Sequence, residues 1–376
     1  MRVRKLDTSR PRDVRQFIRF PFNLYKDCKP WVPPLIPDIR LAMNRKKYPF
    51  YRDSDADFFV VESEGQTLGR ITAIENRRYN DFHDAKVAFF YYLDVVDDTQ
   101  VSRLLFEKTF EWARSRGLDT IYGPNGLLRA DGHGLLVEGF EHRPSVGMPY
   151  NYPYYGKLVE DAGFEQSHDY VSGYLSAEDD LPARFYEIAE KVKARRGYRV
   201  KSLRSRKELL EMAPAIHQIY QDAFVQVWGY FPITVEEIET SIRKMSLIAD
   251  PRMIKVVEKD GEPVGFVMSY PDVTAAIQRI KGRLWPLGWI QILREAKRTD
   301  WATLNGVGVI PKYQGVGANA VLYTELVKIL KSADSGFQHA DYVQVADTNV
   351  ESLRDAVAIR MEWFKRHRVY RRVISA

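Results

Sequence analysis

The sequence predicts a mixed α/β fold in which one unit of strands and helices occurs twice. Three observations carry this reading. The 376 residues are long for one core and comfortable for two. Strand-like hairpins, followed by strand, helix, strand, helix and strand, occur in the first half and again in the second. Hydrophobic residues are 45% and charged residues 28%, the balance of a globular chain. The repeat is one of element order, not of residues.

In the first half, VRKLDT reads as a short strand, and Pro11 suits the first turn of a helix running to about Tyr25. The prolines of CKPWVPPLIPDIR demand a loop or a broken helix. DFFVVES and TLGRITAIE form a hairpin around EGQT, and KVAFFYYLDV is the next strand. Val101, Leu104, Leu105, Phe106 and Trp112 recur at helical spacing from Thr99 to Arg116, with Gly117 placed to end the helix. DTIYGPN is a strand, NYPYYGKLVEDAGF a short helix and DYVSGYLS a closing strand.

The second half starts with RGYRVKSLR as a strand. RKELLEMAPAIHQIYQDAF and TVEEIETSIRKMSLIA are helical, and MIKVVEKDGEPVGFVMSY is a hairpin turning at Asp260-Gly261. WATLNGVGVIP is a strand, residues from about Gln314 to Ser332 a helix, and DYVQVAD, VESLRDAVAIR and WFKRHRVYRRVI complete the order. The boundary is expected in SAEDDLPARFYEIAEKVKARRG, so that residues 1–176 and 198–376 are domains and 177–197 a charged connecting helix.

A net charge of +6 and a pI near 9.1 favour anionic partners: CoA phosphates, lipid headgroups or RNA. The single cysteine, Cys28, excludes an internal disulfide framework and fits a reducing compartment. The basic start has no apolar run behind it to make a signal peptide, and LWPLGWIQIL falls far short of the roughly 20 residues that span a bilayer. The expected address is the cytoplasm, including the inner membrane surface.

The most informative stretch is VGVIPKYQGVGANAVLYTEL. Val307 and Val309 lie in an apolar strand, Pro311 ends it, and Gln314-Gly315-Val316-Gly317 offers N–H groups free of bulky side chains. The helix that starts there has unpaired N–H groups and a positive dipole end, which together suit a pyrophosphate. A glycine turn alone is weak evidence. A Walker A reading fails because no GK[ST] follows, and a Rossmann reading fails on the missing third glycine and the preceding hairpins.

With this order of elements, QGVGA resembles the acyl-CoA motif of the GNAT acyltransferase superfamily, Q/R-x-x-G-x-G/A. Gln314 and Gly317 match, and Asn319 stands where Gly or Ala is usual, with Ala318 and Ala320 on either side. The resemblance extends over most of the chain to a bacterial family of tandem-GNAT N-acyltransferases. It is carried by PFNLYKDCKPWVPPL, YPFY, LGRITAIENRRYNDFH, GPN, LLVEGF and MPYNYPYYGKLVEDAGF in the first half, and by VWGYFPIT, GRLWPLGW and the motif in the second. It implies two tandem GNAT-like domains and acetyl-CoA or a longer acyl-CoA as cosubstrate. Val307 and Val309 would contact the pantetheine arm, and Gln314, Gly315, Val316, Gly317, Ala318 and Asn319 would hold the pyrophosphate. Some relatives resemble enzymes that acylate long-chain amino bases, so the acceptor is expected to be a small-molecule or lipid amine. In the first half, Asp94, Asp97 and Asp98 stand where a pyrophosphate needs donors, so that domain is expected to serve the acceptor or to act as scaffold.

Amine acylation needs a deprotonated amine and a proton for the leaving thiolate. Asp347 and Asn349, where the family shows E-x-N, are candidates for the acid–base work, and either residue could instead cap the following helix. The tyrosine that many GNAT enzymes carry in that helix is absent from RDAVAIR. Tyr230, beside Trp228 in the VWGYFP loop, is the alternative phenol, and Trp228 joins the substrate-binding candidates. In the first half Asn125, Asp131, Tyr150, Asn151, Tyr154 and Tyr155 could line an acceptor pocket, with Asp131 and His133 passing protons. Cys28 reads as structural, and no H-x-x-H or HExxH spacing implies a metal. IQRIKGRLWPLGWIQILREAKR mixes Trp285, Leu287 and Trp289 with six basic residues, as a membrane-contacting segment or a packed helix would. Two other readings remain: a tRNA-dependent aminoacyl transferase, although no aromatic-laced basic tract supports nucleic acid, and a non-catalytic acyl-CoA or lipid-binding protein.

Overall fold

A computed structural model describes residues 1–245, 247–332 and 336–374. The first elements are β1 (Arg2–Lys5), α1 (Pro11–Leu24), α2 (Ile36–Ala42), β2 (Asp55–Ser63), β3 (Gln66–Glu75), α3 (Arg77–His83) and β4 (Val87–Val95). There follow α4 (Thr99–Arg114), β5 (Thr120–Gly123), β6 (Leu135–Glu138), α5 (Tyr155–Asp161) and β7 (Glu165–Ser176). The chain continues with α6 (Ala183–Arg195), β8 (Tyr198–Ser202), α7 (Arg206–Glu211), α8 (Ala213–Phe224), α9 (Val235–Met245), β9 (Ile254–Lys259), β10 (Glu262–Pro271), α10 (Thr274–Arg279) and α11 (Gly288–Ala296). It ends with β11 (Trp301–Val309), α12 (Ala318–Lys331), β12 (His339–Ala346), α13 (Val350–Ala358) and β13 (Glu362–Val373). The mixed α/β class is as expected. Helix α3 and strand β6 were not foreseen: α3 begins on an Asn76 cap that accepts from Tyr79 N–H.

Two compact units result, and they are not contiguous in sequence. Unit 1 comprises Met1–Tyr170, Ile277–Gly288 and the chain from Lys365; unit 2 comprises Val171–Ala276 and Trp289–Phe364. This differs from a simple cut between 176 and 198. The C-terminal strand finds its partner in the first half of the chain, where Tyr370 pairs with Gly123 and Val373 with Thr120. Residues 277–288 join unit 1 through Gln278, whose Nε2 donates to the carbonyls of Lys29 (2.9 Å) and Trp31 (2.8 Å). The expected connecting helix α6 is part of unit 2, with Val192 in the core beside α12 and Lys193 paired to Glu325 at 3.2 Å.

In unit 1 the strand order is β1-β2-β3-β4-β5, followed by the parts of β13 and β7 that belong to it. The β2–β3 turn places Glu64 at φ 51° and Gly65 at φ 78°, the two positive values that a two-residue hairpin needs. Helix α4 buries Val101, Leu105, Phe106, Phe110 and Trp112 against this sheet, while α1 covers the other core with Val14, Phe17 and Ile18. A buried ion pair, Arg70 to Asp94 at 2.7 Å, crosses from β3 to β4, and Arg70 also donates to Phe17 O.

In unit 2 the order is β7-β12-β11-β10-β9-β8. Asp260 and Gly261, at φ 52° and 92°, repeat the same hairpin turn. Helix α12 lies in a core with Val257, Val264, Val267, Leu304 and Val309, and α7–α9 pack in a second core with Ile254, Val256 and Phe266.

Candidate acyl-donor site

Strands β11 and β12 run parallel for four rungs, from Trp301–His339 to Leu304–Tyr342. The ladder then ends, and both strands are kinked where it does. Against β10, Val267 pairs with Val307 but Ser269 pairs with Leu304, so Asn305 and Gly306 together oppose Met268. This is a β-bulge with Gly306 at φ 112°, a conformation that only glycine adopts without strain. On β12, Gln344 sits at φ 51°, and its N–H turns to Ser172 Oγ at 3.3 Å. Among the described residues no rung joins Asn305–Val309 to β12. The side chains of Val307 and Val309 pack into the α12 core, so what β11 offers along this stretch is backbone.

Beyond β11, the short turn Pro311–Tyr313 leads to the glycine loop, braced by Gln314 Nε2 donating to Val309 O at 2.9 Å. The expected helix start at about Gln314 moves to Ala318. Gly317, at φ 114°, is its N-cap, and no side chain caps it. The first-turn N–H groups of an α-helix have no intrahelical acceptor. A Cβ on Gly317 would come within 2.5 Å of Val192, so the glycine serves α6 packing as well as the loop. Gly315 and Val316 are exposed, and Arg196 Nη1 reaches Val316 O at 3.1 Å, bringing a guanidinium to the loop. An uncapped helix end, two glycines and an adjacent cation fit an anionic phosphate; a strand edge without a neighbour fits an extended amide arm.

Asn319, the departure from the motif, turns away from the loop. Its Nδ2 donates to Asp355 Oδ2 at 2.9 Å on α13, and Tyr323 hydrogen-bonds to the same carboxylate and to Tyr342. Burial pushes the Tyr323 and Tyr342 hydroxyls up, so they remain protonated donors. The larger residue therefore ties α12 to α13 instead of obstructing the loop.

The acid–base candidates are in different environments. Asn349 caps α13, its Oδ1 accepting from Ser352 N–H at 3.1 Å. Asp347 lies exposed in the turn just after β12. Tyr230 is buried, its hydroxyl donates to Gln221 Oε1, and burial raises its pKa. Trp228 is half-buried in the same loop.

A polar row on the sheet of unit 2 escaped the sequence reading. Tyr270, Thr303 and Asp341 are rung partners across β10, β11 and β12, so their side chains share one face, opposite Leu304 and α12. All three are buried. Asn305, two residues along, donates to Tyr270 Oη at 3.3 Å. Below Asp341 on the same face lies an aromatic collar. Trp301 and His339 have ring centroids 4.8 Å apart, and Tyr174 on β7 lies 5.8 Å from Trp301. The Tyr174 hydroxyl meets His339 Nδ1 at 2.7 Å, and Phe364 closes one side, 6.3 Å from Tyr174. The signal was available: in WATLNGVGV and HADYVQVA, polar residues alternate where a doubly covered strand is usually apolar throughout.

The unit 1 candidates are engaged in the fold. Asn151 pairs its side-chain amide with both backbone groups of Leu136, at 2.7 and 3.1 Å. Asp131 accepts from Leu128 N–H at 2.9 Å, and Tyr150 donates to Phe140 O at 2.8 Å. Asn125 is hydrogen-bonded to His133 Nδ1, and His133 stacks on Tyr170 with centroids 5.0 Å apart. Burial holds His133 well below its ordinary pKa, and holds His168 and His367 at about 4, so all three are neutral at pH 7. Tyr155 is fully buried: its oxygen accepts from Val95 N–H at 2.9 Å and from Tyr25 at 2.8 Å, while Tyr154 donates to Val95 O at 2.7 Å. Among the described residues no His, Cys, Asp and Glu cluster is arranged for a metal, and no helix is long and apolar enough to cross a membrane.

Residues 213–355 match the acetyltransferase (GNAT) family. The chain is 26% identical over 372 residues to protein YghO of Escherichia coli K12, covering 96% of this chain and 93% of that protein. It is also 26% identical over 372 residues to the bacterial ceramide synthase of Caulobacter vibrioides, covering 97% and 96%. In fold it resembles a tandem GNAT protein from the clavulanic acid biosynthesis pathway, at a TM-score of 0.58 and 12% identity, covering 100% of this chain and 99% of that one.

Proposed function

We propose that this chain is a GNAT acyltransferase of the tandem form, which takes acetyl-CoA or a longer acyl-CoA in unit 2 and acylates a lipid-like amine. The observation that carries this reading is the conjunction of an unpaired β11 edge with an uncapped α12 N-terminus. The pyrophosphate lies on the N–H groups of residues 315–319 beside Arg196, and the pantetheine amides bond the β11 backbone after the Gly306 bulge. The thioester supplies an activated carbonyl. The amine nitrogen attacks it, the C–N bond forms, the C–S bond breaks, the amine gives up a proton and the thiolate takes one.

Asp341 is our choice for the group that receives the acceptor ammonium. A carboxylate at its depth is weakly screened by water and holds a cation strongly. The collar of Trp301, Tyr174 and Phe364 offers rings to an ammonium and to the hydrocarbon next to it. Asp347, at the open end of β12, is the alternative base. Calorimetry with a series of acyl-CoA lengths, and an assay of thiol released on adding long-chain amines, test the proposal. Absence of acyl-CoA binding, or thiol release indifferent to amine, would end it.

A further inference from the structure

The segment between α10 and α11 is anchored to residues 29–36 of unit 1. Gly282, at φ 64°, packs its Cα so closely on the Pro34 carbonyl that a Cβ would collide, and its own carbonyl accepts from Ile36 N–H at 3.0 Å. Gln278 anchors the near side on Lys29 and Trp31. Beyond this anchor the chain sends its largest apolar side chains into solvent. Trp285 is 82% exposed and Leu287 63%, with Pro286 exposed between them. Lys281 and Arg283, both exposed, precede this tip. No acidic residue occurs in sequence between Asp272 and Glu295.

We infer that residues 281–287 form a docking tip for an anionic lipid bilayer. Tryptophan and leucine on a fixed loop insert at headgroup depth, where an indole is favourably placed, and the neighbouring cations are drawn to the negative surface. A protein partner would need a surface of the order of 1,000 Å², far more than two side chains and a proline provide. The uniformly basic flank likewise matches a charged plane better than a mixed protein rim. This inference deepens the lipid-amine reading by placing the enzyme where such an amine resides, but it stands on the surface of unit 1 alone.

The full chain, without acyl-CoA, is tested by flotation with vesicles of equal parts phosphatidylcholine and phosphatidylglycerol, and with phosphatidylcholine alone. The wild type is expected to float with the anionic vesicles and to release as salt rises. The double variant Trp285→Ser/Leu287→Ser should lose about tenfold or more in binding, and Lys281→Glu/Arg283→Glu a similar amount. Val357→Ser, which removes an apolar side chain 71% exposed elsewhere, should change nothing. All variants should keep the wild-type melting temperature and acyl-CoA affinity. A wild type that ignores anionic vesicles, or double variants that bind them as well as the wild type, would overturn the inference. Failure of acyl-CoA binding in the wild type would strike the enzymatic reading and leave this one standing.

Discussion

The strand–helix turn from β4 to α4 in unit 1 and the one from β11 to α12 in unit 2 have the same construction and opposite interiors. Each strand is bulged beyond its last rung to its parallel neighbour: at Tyr92, φ 48°, in β4, and at Gly306, φ 112°, in β11. In unit 1 the backbone of Val95, beyond the bulge, is bonded on both sides by Tyr155 and Tyr154, with Tyr25 behind them. The start of α4 is filled by the Asp98 carboxylate, which accepts from Gln100 N–H at 2.7 Å and Val101 N–H at 3.3 Å. In unit 2 the corresponding strand edge has no rung to β12 among the described residues, and the helix starts on a glycine that no side chain caps. The fold therefore does not by itself decide whether this turn is filled. Two or three side chains decide whether the turn satisfies its own N–H groups or leaves them for an anion.

The most severe way to break the contrast is to give α12 the carboxylate that α4 has. Val316→Asp, at an exposed loop position, should reduce acyl-CoA affinity by about tenfold to a hundredfold with little loss of stability, read by calorimetry and thermal melting. Gly317→Asp should abolish binding and also lower the melting temperature, because φ 114° and Val192 leave no place for a side chain. Calorimetry on the wild type should meanwhile show one acyl-CoA per chain; two would mean that the tyrosine plug of unit 1 opens.

Asp341→Asn should lower amine-dependent thiol release by about a hundredfold while leaving acyl-CoA affinity within about twofold. Equal loss in both would make Asp341 part of the donor site or of the fold.

Acid should loosen unit 1 before unit 2. Buried His168 and His367 have folded pKa values of about 4, below the roughly 6.5 of an unfolded histidine, so the unfolded chain binds their protons first. Their neutral burial costs nothing above pH 6.5 and destabilises progressively as pH falls from there towards 4, by about 3 kcal/mol each at most. His217 and His339 of unit 2 are not buried. Hydrogen exchange at pH 5 should show opening of β5 and β6 ahead of β9–β12; the reverse order would refute the assignment.

The smallest effect expected is from Tyr155→Phe, which leaves Val95 N–H without its acceptor and should cost about 1–3 kcal/mol in denaturant unfolding. It should not create a second acyl-CoA site, because Asp98 still occupies the start of α4.

Much of this was legible locally. Glu64-Gly65 and Asp260-Gly261 announce their turns because few other pairs tolerate two positive φ values. Helix α4 is written in its apolar spacing and ends at Arg114, near the expected Arg116. The loop at Gln314–Gly317 is legible because a close approach to backbone needs glycine. Of the acids at 94–98, Asp94 pairs with Arg70 and Asp98 caps the start of α4.

What the sequence by itself determined is the kind of element, the hairpin turns and the glycine turn before α12, since each follows from backbone sterics within a few residues. Tertiary structure alone decided the partners. It assigned the C-terminal strand to Gly123 and Thr120, turned Asn319 to Asp355, set Tyr155 on Val95 and aligned Tyr270, Thr303 and Asp341 on one face. Each of these joins residues far apart in the chain, and the free energy that selects them comes from burial and hydrogen bonding across elements, which no local pattern encodes.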